Sequence, residues 1–312
     1  MKRTLEIALI FASLFVGLLH AQSITYSTFE VPEAATDDLS VQSINDSGLI
    51  AGYLTDTSGN TEGFTRTASG DITLLVDPLD TSTPSTTVAY GLNNAGTVTG
   101  YFWDTSASLY YGYFYTNGNW ETYTVPNQPA GTDFATGGIN NNGSFCGFVL
   151  QPPYTTYVNF VSINGVVTTF QVDGSNNEAC FGMNDSDTAA GYYLDSAGLA
   201  HGWLRDSSGT ITTINVPAAS TTPGANPCIS GNVGGTYVGG INDQGFISGH
   251  FFDKKNNEHG FIRTPGGKFI ELNVPGAFQT AGGNIDNKDQ MVGHWATDSA
   301  CDDEGFIATI NK

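Results

Sequence analysis

The stretch Ile241-Asn242-Asp243-Gln244-Gly245-Phe246-Ile247-Ser248-Gly249-His250-Phe251-Phe252-Asp253 decides the fold, because close variants of it recur along the chain. Aligned on its Asn, it returns as Ile44-Asn45-Asp46-Ser47-Gly48, Leu92-Asn93-Asn94-Ala95-Gly96, Ile139-Asn140-Asn141-Asn142-Gly143, Met183-Asn184-Asp185-Ser186-Asp187 and Ile285-Asp286-Asn287-Lys288-Asp289. The six copies are spaced by 48, 47, 44, 58 and 44 residues. Such a period suits propeller blades and is far longer than one turn of a β-helix.

Each copy carries the same four segments. An apolar stretch ends on the Ile-Asn pair. Asn-x-x-Gly then turns the chain, the Asn or Asp bonding its own backbone and Gly accepting positive φ. A second strand follows over residues 49–54, 98–103, 145–150, 189–194, 246–252 and 291–295. A polar loop leads to a third strand typified by Gly63-Phe64, Gly112-Tyr113, Gly202-Trp203, Gly260-Phe261 and Gly305-Phe306. The fourth alternates and closes on Val-Pro, as at Val216-Pro217, where an outer edge tolerates the missing donor. The sixth copy stops after its third segment, and residues 24–32 match the missing fourth one. The expectation is an all-β, six-bladed β-propeller with about four antiparallel strands per blade. The N-terminal strand, 24–32, completes the last blade and closes the ring.

Ahead of the repeats, Lys2 and Arg3 precede an apolar run over 7–19, the small residue Ala21 and a polar stretch. The run is shorter than the roughly 20 residues of a membrane span, so 1–21 reads as a signal peptide rather than an uncleaved anchor, and 22–312 as a single secreted domain. Without the leader the chain has 8 basic and 29 acidic residues, a charge of −21. That disfavours nucleic acid, whose binding needs clustered Lys and Arg, and membrane insertion after cleavage is not expected. Many Gly, Thr, Ser and Tyr, with little helical periodicity, agree with short strands and tight turns.

In such blades the fourth-to-first and second-to-third connections share one face, and the Asn-x-x-Gly turns lie on the other. The longest connection, residues 218–237, is on the first face and marks it as a place for a ligand. The same face collects Asp56, Asp104, Asp195, Asp253 and Asp298. These are candidates for a ligand-binding rim, although Asp at a repeated position is more often a turn former. Trp120, near the start of an outer strand, is a further candidate as an exposed aromatic. The cluster Asp298, Asp302, Asp303 and Glu304 is the best place for a calcium ion, the one cofactor considered, though no EF-hand spacing exists.

No Gly-x-Ser-x-Gly elbow, His-Glu-x-x-His motif or other catalytic constellation occurs, so no catalytic residue is assigned. His250 and His294 fall where other copies have Tyr53, Tyr101, Phe148 and Tyr192, which points to packing between blades. Four cysteines in an exported chain suggest disulfides. Cys228 and Cys301 should emerge on the same face of neighbouring blades and pair. For Cys146 and Cys180 a bridge and two buried thiols are both open.

The recurrent Ile-Asn-x-x-Gly-x-Ile-x-Gly-Tyr, followed by Asp-x-x-Gly and His-Gly-Phe or His-Gly-Trp (His201–Trp203, His259–Phe261), resembles the extracellular HAF-repeat family over residues 24–312. The resemblance implies export and a β-repeat fold and brings no activity. Two functions follow from the sequence. The favoured one is a non-enzymatic module binding an extracellular glycan or protein on its loop-rich face. The other is a carbohydrate-active or lactone/ester hydrolase using rim carboxylates, with or without calcium. A hydrolase should bury one or two carboxyls with shifted pKa in the channel, whereas a binder should show a solvated rim.

Overall fold

A computed structural model describes residues 23–35, 38–154, 156–172, 175, 177–298 and 301–311. The leader expected at 1–21 lies outside the described residues. Among those described, every regular element is a β-strand. In chain order, β1 (Ser23–Phe29) precedes the set β2 (Leu39–Ile44), β3 (Ile50–Thr55), β4 (Thr61–Arg66) and β5 (Ile72–Leu75). The next sets are β6 (Thr87–Leu92), β7 (Val98–Asp104), β8 (Leu109–Thr116), β9 (Asn119–Tyr123), and β10 (Asp133–Ile139), β11 (Phe145–Gln151), β12 (Thr156–Ile163), β13 (Val166–Phe170). Then come β14 (Asn177–Met183), β15 (Ala189–Leu194), β16 (Ala200–Arg205) and β17 (Ile211–Ile214). A short ladder of β18 (Gly224–Ala225) and β19 (Asn232–Val233) leads to β20 (Gly235–Ile241), β21 (Ile247–Phe252), β22 (Glu258–Arg263) and β23 (Phe269–Leu272). The chain ends with β24 (Gln279–Ile285), β25 (Gln290–Ala296) and β26 (Asp303–Asn311).

Within each set the strands pair antiparallel in sequence order, and the whole of β1 pairs with β26 from Ser23↔Asn311 to Phe29↔Gly305. The sets β14–β17 and β20–β23 are joined into one eight-stranded sheet by a single parallel bridge, Ala200↔Gly235. The second strands lie within a residue or so of where the repeats place them. Hydrophobic clusters lie where one set packs on the next, as where Cys146 and Val161 meet Met183, Tyr193 and Trp203.

First strands approach backbone to backbone, which explains their glycines. A Cβ on Gly138 would lie 2.6 Å from the Gly182 carbonyl carbon, and one on Gly182 would lie 2.7 Å from Gly240 Cα. Every first strand also carries a register shift, between Val41 and Ser43, Ala89 and Gly91, Thr136 and Ile139, Cys180 and Gly182, Val238 and Gly240, and Gly282 and Ile285. A bulge of this kind leaves an unpaired residue and re-aims its side chain.

The Asn-x-x-Gly turns hold one another. Asn45 Oδ1 accepts the Ser47 and Leu49 amides (3.0 and 3.1 Å), closing its own turn. The backbone N–H of Asp46 donates to Asn94 Oδ1, that of Asn94 to Asn141, Asn141 to Asp185, Asp185 to Asp243, Asp243 to Asn287, and that of Asn287 back to Asp46, all at 2.7–2.9 Å.

Both disulfides are present, Cys228–Cys301 and Cys146–Cys180. The first places connection 218–234 and the β25–β26 loop on one face, as expected. The second decides the open question at Cys146 and Cys180 in favour of a bridge between β11 and β14. Among the described residues no helix is long and apolar enough to cross a membrane.

Candidate functional site

The residue of each second strand that the repeats fill with Tyr53, Tyr101, Phe148, Tyr192, His250 and His294 faces the middle of the molecule. These side chains do pack between sets, as expected, but around a cavity rather than in a closed core. The cavity has two compartments sharing Tyr90, Phe181 and Tyr192 as a partition. One, of ≈ 320 Å³, is walled by Tyr101, Tyr110, Phe148 and Tyr157. The other, of ≈ 400 Å³, is walled by Tyr53, Tyr237, His250, Glu258 and His294. Tyr90 and Phe181 reach the partition because they are the residues skipped by the first-strand register shifts. Rings then run around the wall, edge to face at Tyr53–Tyr90 (6.0 Å), Tyr90–Phe181 (5.0 Å) and Tyr192–Tyr237 (4.7 Å), and stacked at Phe181–Tyr192 (5.7 Å) and Tyr237–His250 (4.9 Å).

The repeat symmetry breaks on one side of this cavity. The first four copies supply mainly rings, with Asp133 and Glu178 beside them, whereas the fifth and sixth add His250, His294 and the carboxyl of Glu258 to the ring of Tyr237. Glu258 opens β22, where other copies have Thr61, Tyr110, Tyr157, Ala200 and Asp303. It is 8 % exposed, and burial, then the charge of Asp303, push its carboxyl up to about 8. Burial holds both imidazoles down at about 4. His250 Nδ1 lies 3.2 Å from the Gly282 carbonyl oxygen. A carbonyl can only accept, so Nδ1 carries the proton and Nε2 presents its lone pair to Glu258 Oε1 at 3.6 Å. At neutral pH one proton therefore serves the pair, and burial keeps it on the carboxyl, because neither charged form is well solvated there. His294 Nδ1 is buried with no hydrogen-bond partner.

Connection 218–234 is clamped over this side. Asn226 Nδ2 donates to Gln279 Oε1 at 2.8 Å and Gln279 Nε2 donates back to Asn226 Oδ1 at 3.2 Å. Asn226 Oδ1 also accepts the Cys228 and Ile229 amides, and Ile229 reaches the cavity wall. The connection is thus not structureless, having its own ladder, β18–β19, and a disulfide to β26's approach.

The rim aspartates lie elsewhere, and none of them lines the cavity. Four of them fold their own loops. Asp56 Oδ1 accepts the Ser58 and Asn60 amides, Asp104 that of Ser106, Asp195 those of Ala197 and Leu199, and Asp253 those of Lys255 and Asn257. The Asn60 side chain, the Ser106 hydroxyl and the Leu199 amide respectively hold Asp56, Asp104 and Asp195 below the ordinary carboxylate value. Burial pushes Asp253 up, but the bonds from Asn257 outweigh it. His201 and His259 brace two of these loops, 3.3 Å from Asp195 and 3.5 Å from Asp253. Trp120 is half-buried, packed against Tyr113 and Tyr115 at 4.9 and 4.7 Å on an outer strand. Among the described residues no three His, Cys, Asp or Glu side chains gather to hold a metal, Asp298, Asp302, Asp303 and Glu304 included. Asp303 and Glu304 are successive residues of β26 and therefore point to opposite faces.

Glu178 shows how a shifted carboxyl can be structural. Burial pushes it up to about 7, yet Oε2 accepts the Val172 amide at 2.8 Å. In other sets the corresponding amide goes to a threonine hydroxyl, Val216 to Thr236 and Val274 to Thr280. Glu178 fills that post, while Glu258 has no counterpart of this kind.

No protein-family model matches the chain, and no curated protein matches it in sequence. Solved structures are similar to it in fold. An Aleuria aurantia lectin in complex with Fucα1-6GlcNAc is 10 % identical with a TM-score of 0.54, covering 90 % of this chain and 96 % of its own. A second structure of that lectin, described as a six-bladed β-propeller with a novel fucose recognition mode, is 9 % identical with a TM-score of 0.51, over 94 % of this chain and 96 % of its own. A neuraminidase-like protein from A/bat/Guatemala is 11 % identical with a TM-score of 0.51, over 92 % and 94 %. At such identity the likeness is one of fold, and the chain is an all-β protein of the β-propeller kind.

Proposed function

We propose that this protein is a secreted HAF-repeat propeller of six blades, closed by β1, that binds a carbohydrate in the cavity between its blades. The observation that carries the reading is a cavity lined by both aromatic rings and buried polar side chains. Sugar rings present apolar C–H faces to aromatic rings and hydroxyls to hydrogen-bonding groups. Tyr53, Tyr90 and Tyr192 supply the first, and Glu258, His250 and His294 the second. The fold likeness to fucose-binding lectins supports the ligand class, and two disulfides support an oxidising compartment. The six antiparallel sets, the β1–β26 pairing and the turn bonds returning to Asp46 support the blade count and closure.

A glycan array with the mature protein tests this, followed by calorimetry on each hit with Tyr192→Ala and His250→Ala. At least a tenfold loss of affinity in both variants is expected. Binding untouched by both, or an array without hits, refutes it.

A second reading is favoured by one observation, that the Glu258 carboxyl is buried in the cavity wall 3.6 Å from His250 Nε2, where burial pushes its proton affinity up. A buried acid is what protonation of a leaving oxygen needs in glycoside or lactone cleavage. The hydrolase reading thus moves from the rim, where Asp56, Asp104, Asp195 and Asp253 are turn formers, to Glu258. Turnover of aryl glycosides or lactones that vanishes in Glu258→Gln while binding persists would select it.

A further inference from the structure

Five junctions between repeats share a second hydrogen bond, made by the turn Asn. Asn45 Nδ2 donates to the Asn93 carbonyl at 3.0 Å, Asn93 to Asn140 at 3.3 Å, Asn140 to Asn184 at 2.9 Å, Asn184 to Asn242 at 3.2 Å and Asn242 to Asp286 at 2.8 Å. At the sixth junction the donor would be residue 286, which is Asp. Its Oδ1 does what the Asn oxygen does elsewhere, accepting the Lys288 and Gln290 amides at 2.9 and 2.8 Å. Its Oδ2 therefore takes the place of the amide nitrogen, whose counterpart at the other five junctions donates to the turn carbonyl of the next repeat, a carbonyl that belongs to Asn45 at the sixth. Asp286 is 4 % exposed, and this Oδ2 is buried with no hydrogen-bond partner.

A carboxylate and a carbonyl are both acceptors, so the sixth bond cannot form while Asp286 is ionised. We propose that the junction between the last and first repeats is a pH-operated latch, in which a protonated Asp286 donates from Oδ2 to the Asn45 carbonyl and completes the series. The inference rests on the closed-ring reading above. Burial pushes the Asp286 carboxyl up to about 6. The groups around it are Asp46 on the first turn, which adds to the rise, Asp243 on the fifth turn, and Lys288 and Asp289 on its own turn, Lys288 opposing the rise. The strand β26 beneath brings no charge from Phe306 to Asn311. Because the folded value is raised, the stabilisation is full below the ordinary value of 3.8 and is lost as pH rises through about 6.

Two measurements test the latch. Asp286→Asn supplies the missing donor at every pH, so its folding constant should exceed wild type on the order of a hundredfold at pH 8 and match it near pH 4. An equal gap at both pH values, or a variant weaker at pH 8, overturns the proposal. In wild type, hydrogen-exchange mass spectrometry corrected for intrinsic rates should show the 45–49 and 286–290 peptides gaining protection from pH 7 to 5, unlike the other four turns. No differential gain overturns the latch. So does protection gained at pH 7 from added calcium or sodium, which would make the missing partner a cation. If the β1 peptide is unprotected at every pH, the closed-ring reading has failed. If β1 is protected and the turns show no pH response, the ring stands and the latch alone falls.

Discussion

Replacing Glu258 by Gln removes a titrating proton from the cavity while keeping the side chain's shape. The wild-type carboxyl is raised from 4.5 to about 8. A group whose folded value is raised contributes its stability in full below the unfolded value and loses it as pH rises through the folded one, so this carboxyl costs stability between about pH 4.5 and 8. At about 1.4 kcal/mol per tenfold change in proton affinity, the whole displacement is worth at most roughly 5 kcal/mol. Water entering the cavity screens part of it, leaving about 2–3 kcal/mol at the effective dielectric of real protein sites. Urea unfolding at 25 °C, followed by tryptophan fluorescence at pH 5, 7 and 9, reads this directly. The variant should be within about 1 kcal/mol of wild type at pH 5 and about 2–3 kcal/mol more stable at pH 9. Parallel stability curves for the two proteins from pH 5 to 9 would refute the burial argument, and with it the protonated acid of the second functional reading.

Two further outcomes follow from the scaffold. Cys228→Ser with Cys301→Ser opens a cross-link spanning a sequence separation of 73, and chain entropy predicts a loss of about 4 kcal/mol in denaturant unfolding; an unchanged midpoint would mean that the connection over the cavity is held by Asn226 and Gln279 alone. Gly182→Ala sets a methyl 2.7 Å from Gly240 Cα, where both partners are backbone and cannot move aside. A loss of about 1–3 kcal/mol is expected from such overpacking, and a neutral substitution would show that the first strands are not in contact.

Much of the scaffold was legible because its determinants are local. The Asn or Asp that starts a turn accepts amides of its own loop, as Asn45 and Asp286 do from the residues two and four on, a bond that needs nothing beyond that loop. The Val-Pro ends, the Gly-aromatic third strands and the N-terminal match to a fourth strand likewise repeat in the sequence before any packing occurs. The same local logic accounts for Asp56, Asp104, Asp195 and Asp253, whose carboxylates accept amides of their own loops. Glu258 was missed, although one signal was available: it is an acid where four of the other copies carry Thr, Tyr, Tyr and Ala. Periodicity draws the eye to what is shared, and the site lies in what is not.

The sequence by itself determined a repeating all-β chain, the places of its strands and turns, and the pairing of Cys228 with Cys301, because each depends on short-range chemistry or on the order of the repeats. Only the tertiary structure decided that Tyr53, Tyr192, His250 and His294 surround a cavity, since that depends on how neighbouring sets approach across their glycine-lined first strands. Only it put Tyr90 and Phe181 on the partition, through bulges whose unpaired residue is fixed by pairing with the next strand. Proton affinities belong wholly to this level. Glu178 and Glu258 are the same residue type, and burial raises both. What separates them is the partner that folding supplies, a backbone amide for one and an imidazole lone pair across an open cavity for the other.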